Sequence, residues 1–124
     1  MSLLLDTHVL LWWLEDDPEL SSNAREAIMN ELDVFVSAAS IWEIAIKEAS
    51  GKLRAPSHFL DNLERERFRP LPISLDHAYA AGALPRHHND PFDRMLVAQA
   101  AIEGLSIVTR DKRFAVYDVP TIFT

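Results

Sequence analysis

Apolar residues run in short blocks separated by polar or turn-forming residues, and the period inside each block changes along the chain. Leu3-Leu4-Leu5 is a continuous apolar run, typical of a strand buried on both faces. His8 to Glu15 continues as a helical stretch that Asp16-Asp17-Pro18 ends. Ser21 or Ser22 can cap a helix reaching about Leu32, and Val34 to Ser37 reads as a second strand. Ser40 to Ser50 predicts a helix, with Ile41, Ile44, Ala45 and Glu48 at helical spacing and Gly51 closing it. Pro56 opens another, to about Arg67, and Leu71 to Ile73 is a third strand flanked by prolines. Leu75 to Leu84 is helical. Pro91 to Glu103 is the clearest helix, with Asp90 as cap, Pro91 in the first turn and Gly104 as stop. Ser106 to Thr109 is a fourth strand. Val119 to Phe123 is a last one, at an edge because Pro120 cannot donate to a ladder. Strands alternating with helices predict an α/β fold of three layers, α/β/α, around a central, mostly parallel, twisted sheet of four to five strands. No repeat or linker divides the chain, so a single domain over 1–124 is expected.

Composition narrows the class. Of 124 residues, 48% are hydrophobic and 25% charged, the balance of a soluble globular domain with a real core. The absence of cysteine excludes a disulfide framework, a thiolate zinc site and a Cys nucleophile, and agrees with a cytoplasmic location. Met1 to Leu5 lacks the basic-then-apolar pattern of a secretory signal, and no apolar stretch approaches the ~20 residues of a membrane span. The net charge of −7 runs against contact with phosphate, unless divalent metal neutralises acids where substrate binds. A basic protein partner is the other way to reconcile it, and a plain acidic surface is the commoner cause.

Four acids carry the candidate chemistry. Asp6 and Asp111 follow the first and fourth strands, and Glu43 and Asp93 are expected in the first turns of two helices. Ligands of open parallel sheets bind beyond the carboxyl ends of the strands, where strand order reverses. All four carboxylates are therefore expected at one edge. Two carboxylates at 4 Å repel by about 4 kcal/mol at an effective dielectric of 20, so a cation or shared proton must offset their meeting. Oxygen-only ligands favour Mg²⁺ or Mn²⁺, and the chemistry of such sites is phosphodiester hydrolysis by metal-activated water. Each acid also has a structural explanation: Ser40 to Glu43 matches a capping box, Asp90 and Asp93 a helix start, Asp6 a cap and Asp111 a turn.

The segments around these acids resemble the PIN-domain family. Leu-Leu-Leu-Asp-Thr-His at 3–8 with Val-Leu-Leu-Trp-Trp at 9–13 looks like its opening. Residues 37–47, 88–100 and 107–111 are similar to the segments holding its second, third and fourth acids, in the same order. Within the family the resemblance is to VapC-type toxins of bacterial type II toxin–antitoxin pairs. It implies a PIN-like fold, a Mg²⁺- or Mn²⁺-dependent endoribonuclease, an RNA substrate, a homodimer and a cognate antitoxin. It places catalysis and metal binding on Asp6, Glu43, Asp93 and Asp111. Asp90 and Thr109 are candidates to support the metal site, although a helix cap and an ordinary strand residue account for them as well.

Arg86, Arg94, Arg110 and Lys112 are candidates for RNA contact, and Arg113 extends the same positive rim. Lys47, one helical turn after Glu43, predicts an i, i+4 ion pair. His87 and His88 read as a solvated loop, because a His pair lacking a third ligand is poor evidence for a metal site. Trp12 and Trp13 read chiefly as core residues; since adjacent helix positions point about 100° apart, the alternative puts one of them on an exposed apolar patch, a partner surface shared with Phe59, Leu60 and Leu63. A phosphoaspartate hydrolase would need Asp-x-Asp after the first strand, where this chain has His8. A receiver domain would need a lysine at the end of a late strand, whereas Lys112 follows Asp111. A catalytically inert PIN-like module that works through protein contact is the alternative function.

Overall fold

β1 (Leu3–Leu5) is the middle strand of a five-stranded, entirely parallel sheet in the computed structural model, which describes residues 1–124. The order is β3-β2-β1-β4-β5, with β2 at Val34–Ser37, β3 at Arg69–Leu71, β4 at Ser106–Thr109 and β5 at Thr121–Phe123. β1 pairs with β2 on one side and β4 on the other, Leu4 standing opposite Phe35 and Ile107. Strand order therefore reverses between β1 and β4.

Alternation along β1 explains its unbroken apolar run. Leu3 and Leu5 face a core with Val36 of β2 and with Val9, Leu10, Ile28 and Ile44, supplied by α1 (Thr7–Leu14), α2 (Ser22–Asn30) and α3 (Ala38–Ala49). Leu4 faces the opposite core with Leu96, Val97, Ala100, Ile107 and Phe114, built on α6 (Pro91–Glu103). All three leucines are completely buried. The expected three-layer arrangement is thus present. β5 is the edge strand that Pro120 predicts.

Several boundaries differ from expectation, among them the start of the last strand, at Thr121 and not Val119, and the end of the second helix, at Asn30 and not Leu32. α3 starts at Ala38, because the Ser37 side chain, at the very end of β2, accepts the Ala39 amide and caps the helix with no intervening loop. Ser40 is therefore inside the helix, no Ser40–Glu43 capping box exists, and Glu43 lies on the second turn. α4 (Phe59–Arg65) begins three residues after Pro56, behind His58 in the left-handed conformation (φ 57°). β3 occupies Arg69–Leu71, two residues earlier than predicted; Arg69 and Pro70 are exposed, so this edge strand lacks the apolar run that marks the others. α5 (Leu75–Ala83) and the Asp90-capped, Gly104-stopped α6 match their predictions.

Candidate active site

The carboxyl ends of β1 and β4 open onto a cavity of about 180 Å³ lined by Asp6, Thr7, His8, Glu43, Lys47, Asp90, Asp93, Asp111 and Arg113, with no apolar wall. Each acid arrives by a different local device. Asp6 follows β1 directly and caps α1, its Oδ1 accepting the Val9 amide at 2.9 Å. Its Oδ2 accepts the hydroxyl of Thr109, the last residue of β4, which ties the two strands flanking the reversal of strand order. Glu43 reaches the cavity from the second turn of α3. Its Oε1 accepts the Thr7 hydroxyl at 2.6 Å and its Oε2 meets Lys47 Nζ at 2.7 Å, the predicted i, i+4 pair.

Asp90 caps α6 by accepting the Phe92 and Asp93 amides, which puts Asp93 in the first turn. Asp111 caps a short 3₁₀ turn, Lys112–Val116, and its carboxylate is gripped by Arg113, with Nη2 to Oδ2 at 2.6 Å. All four predicted acids are thus gathered at one edge. Capping and cavity lining coexist in Asp6, Asp90 and Asp111.

Electrostatics record the cost of this arrangement. Burial raises Asp6 above the usual carboxylate range, against hydrogen bonds from Thr109 and Val9, and Glu43 adds to the rise. Burial, helped by Asp90 and Asp6, pushes Asp93 up to about 6 despite His88 beside it. Asp111 moves the other way, held down by the Arg113 hydrogen bonds. Lys47 is raised by its contact with Glu43. Five carboxylates line the cavity against two permanent cations, Lys47 and Arg113. That excess of hard oxygen donors suits a divalent cation.

The predicted RNA contacts are placed unevenly. Arg94 points into the protein, donating to the carbonyls of Ala81, Leu84, Pro85 and His88 at 2.9–3.2 Å. Arg110 turns to Glu19 and lies over the Trp12 ring, 4.6 Å from its centroid. Neither lines the acid cavity. Arg86 lines a separate hollow with Asn89 and Arg94, and Lys112 is exposed.

His88 is the residue that sequence reasoning passed over. It is 7% exposed, its Nε2 lies 2.6 Å from Asp93 Oδ2, and it forms with Asp93 and Asp111 a group of ligand atoms all within 4.8 Å of one another. The third ligand whose absence argued against it comes from residues 5 and 23 positions further along the chain, visible only in the fold.

The apolar surface also lies elsewhere than expected. Trp12 and Trp13 are both half-buried, Trp13 against Phe68. The exposed tryptophan is Trp42, 60% accessible, at the edge of a groove of about 680 Å³ that includes Ile41, Ala45, Leu60, Leu63 and Phe68. Leu60 and Leu63 belong to this groove, while Phe59 lines a neighbouring hollow.

A parallel α/β sheet with an acid cavity where its strand order reverses is the arrangement expected of a PIN domain, and residues 3–120 match the PIN domain family model; the chain belongs to that family. Among individual relatives, it is 33% identical over 115 residues to Ribonuclease VapC22 of Mycobacterium tuberculosis, covering 90% of this chain and 88% of that protein. Solved structures share the fold at lower identity. The DNA-bound VapBC of Salmonella typhimurium superposes with a TM-score of 0.73 at 20% identity, over 99% of this chain and 98% of the other. FitAcB of Neisseria gonorrhoeae gives 0.71 at 22%, over 98% and 96%. No helix is long and apolar enough to cross a membrane.

Proposed function

We propose that the chain is a metal-dependent endoribonuclease, the toxin of a type II toxin–antitoxin pair, which hydrolyses RNA phosphodiester bonds in the cytoplasm as a homodimer. The observation that carries this reading is the convergence of Asp6, Glu43, Asp93 and Asp111 on one wholly polar cavity, in a PIN domain one-third identical to a named ribonuclease. Asp6, Glu43, Asp93 and Asp111 hold Mg²⁺ or Mn²⁺. The bound cation supplies Lewis-acid activation of water and neutralises developing phosphate charge.

The protein's own groups set the geometry. Thr109 fixes Asp6, and Thr7 with Lys47 fixes Glu43, so both carboxylates meet the cation in one orientation. Asp90 acts through its cap on α6, which holds the first turn carrying Asp93. Lys47 and Arg113 are the cationic side chains at the cavity itself and meet the scissile phosphate. Arg86 and Lys112 contact RNA farther from the bond that is cut. The cognate antitoxin occupies the apolar groove edged by Trp42, which adjoins the site through the edge-to-face contact of Trp42 with Phe92 in the first turn of α6.

Single replacements Asp6→Asn and Asp93→Asn, assayed on single-stranded RNA with Mn²⁺, are expected each to abolish cleavage while the circular dichroism spectrum stays that of the parent. Cleavage that persists in excess EDTA, or full activity of Asp6→Asn, would refute the reading.

A further inference from the structure

Every acid of the site offers oxygen, yet the buried wall behind Asp93 offers nitrogen. We propose that His88 is a metal ligand: its Nε2 joins the carboxylates of Asp93 and Asp111 on the divalent cation and gives the site a preference for Mn²⁺ over Mg²⁺. The inference rests on the reading of the acid cavity as a cation site and adds to it a ligand and a selectivity.

Two observations carry it. The first is reach. The ligand atoms of His88, Asp93 and Asp111 all lie within 4.8 Å of one another, and His88 Nε2 is 2.6 Å from Asp93 Oδ2. Opposite ligands of an octahedral ion with bonds of about 2.1 Å are about 4.2 Å apart, so sub-ångström adjustment brings all three onto one ion.

The second is preorganisation. His88 is 7% exposed, and the loop that carries it is pinned on two sides. Arg94 donates to the carbonyls of Pro85 and His88, and the Tyr117 hydroxyl donates to the carbonyl of Pro85 at 3.2 Å. The imidazole is thus held against the acids before any ion arrives, which lowers the ordering cost of ligation.

The selectivity follows from ligand chemistry. Mg²⁺ dehydrates reluctantly and prefers oxygen, whereas imidazole suits first-row transition metals. Exchanging one oxygen ligand for nitrogen therefore tilts the same cavity toward Mn²⁺.

Pulsed electron paramagnetic resonance of the Mn²⁺-loaded full-length protein reads the ligand directly. Wild type is expected to show the ¹⁴N modulation of a coordinated imidazole. That signal should disappear in His88→Gln and in His88→Asn and persist in His8→Gln, the control for the other histidine at the cavity. In equilibrium titrations with the two metals, His88→Gln is expected to weaken Mn²⁺ binding about tenfold while changing Mg²⁺ binding less than about twofold. Mn²⁺ bound without ¹⁴N coupling in wild type, or coupling retained in both His88 variants, would overturn the ligand assignment and leave the acid site standing. If wild type binds no Mn²⁺ at all, the cation reading of the cavity falls with it.

Discussion

Burial at the base of the cavity, with Asp90 and Asp6 close by, makes Asp93 a proton-holding carboxylate at mildly acidic pH, and this has a thermodynamic consequence. In the unfolded chain Asp93 loses its proton near the ordinary carboxylate value of 3.8; in the folded protein it does so at about 6. Between those values the folded state binds a proton that the unfolded state lacks. Its contribution to stability is therefore fully present below the lower value and lost as pH rises through the upper one. Asp6 is shifted in the same direction, while the depressed Asp111 contributes in the opposite sense. On the proposed function a divalent cation would bind the deprotonated carboxylates, so its stabilising effect is expected to grow over the window in which Asp93 weakens the metal-free protein. Melting curves in EDTA and in millimolar Mn²⁺ check this: the rise in Tm caused by Mn²⁺ is expected to be larger at about pH 7 than at about pH 5. A rise that is equal at both, or larger at the lower pH, would show that Asp93 does not meet the ion. The four acids were legible in the sequence because each follows a recognisable strand end or sits near a helix start. His88 was not, because a lone loop histidine acquires meaning only from carboxylates that folding brings to it.

At the scale of elements, the carboxyl end of α5 and the start of α6 are joined by one side chain. Arg94 donates to five carbonyls at the end of α5 and in the loop that follows, so it satisfies acceptors that a helix terminus leaves open. This geometry decides between two roles for the residue. A phosphate contact needs only the charge, whereas the bridge needs the planar fork of a guanidinium. Arg94→Lys keeps the charge and is expected to lose most of the stability that Arg94→Ala loses, about 2–3 kcal/mol, read as a fall in Tm of roughly 8 °C. A lysine variant that melts with the wild type would restore Arg94 as a candidate RNA contact. The elements that sequence located well are those with a pure signal: the unbroken Leu3–Leu5 run, the Asp90 and Pro91 start of α6, and the edge position of the strand after Pro120. The misplaced boundaries are those where one residue serves two elements or none. Ser37 both ends β2 and caps α3, which moved Glu43 from the first turn to the second. β3 is exposed at Arg69 and Pro70 and carries no apolar pattern to find.

For the whole molecule, the net charge of −7 is set against the task proposed for it. The surface holds two features of opposite character side by side: a wholly polar cavity with five carboxylates and an apolar groove with an exposed tryptophan at its edge. A partner that fills the groove with apolar side chains and extends a basic residue toward the cavity would satisfy both, and the overall acidity would steer such a partner inward. On the proposed function the RNA phosphates meet the cavity and the cations beside it, which leaves the groove to the partner. Catalysis and inhibition are therefore separable by mutation. Leu60 is 58% exposed on α4 and lines the groove without touching the acid cavity, so a charge placed there should leave the fold intact. Leu60→Asp is expected to keep the wild-type Tm and the wild-type rate of RNA cleavage while binding the cognate antitoxin at least about a hundredfold more weakly, because an unpaired carboxylate would have to be buried in the interface. Isothermal titration with the antitoxin, alongside the cleavage assay, measures both sides. Unchanged antitoxin affinity would move the partner to another face of the protein. Lost cleavage with retained affinity would make the groove part of the RNA path.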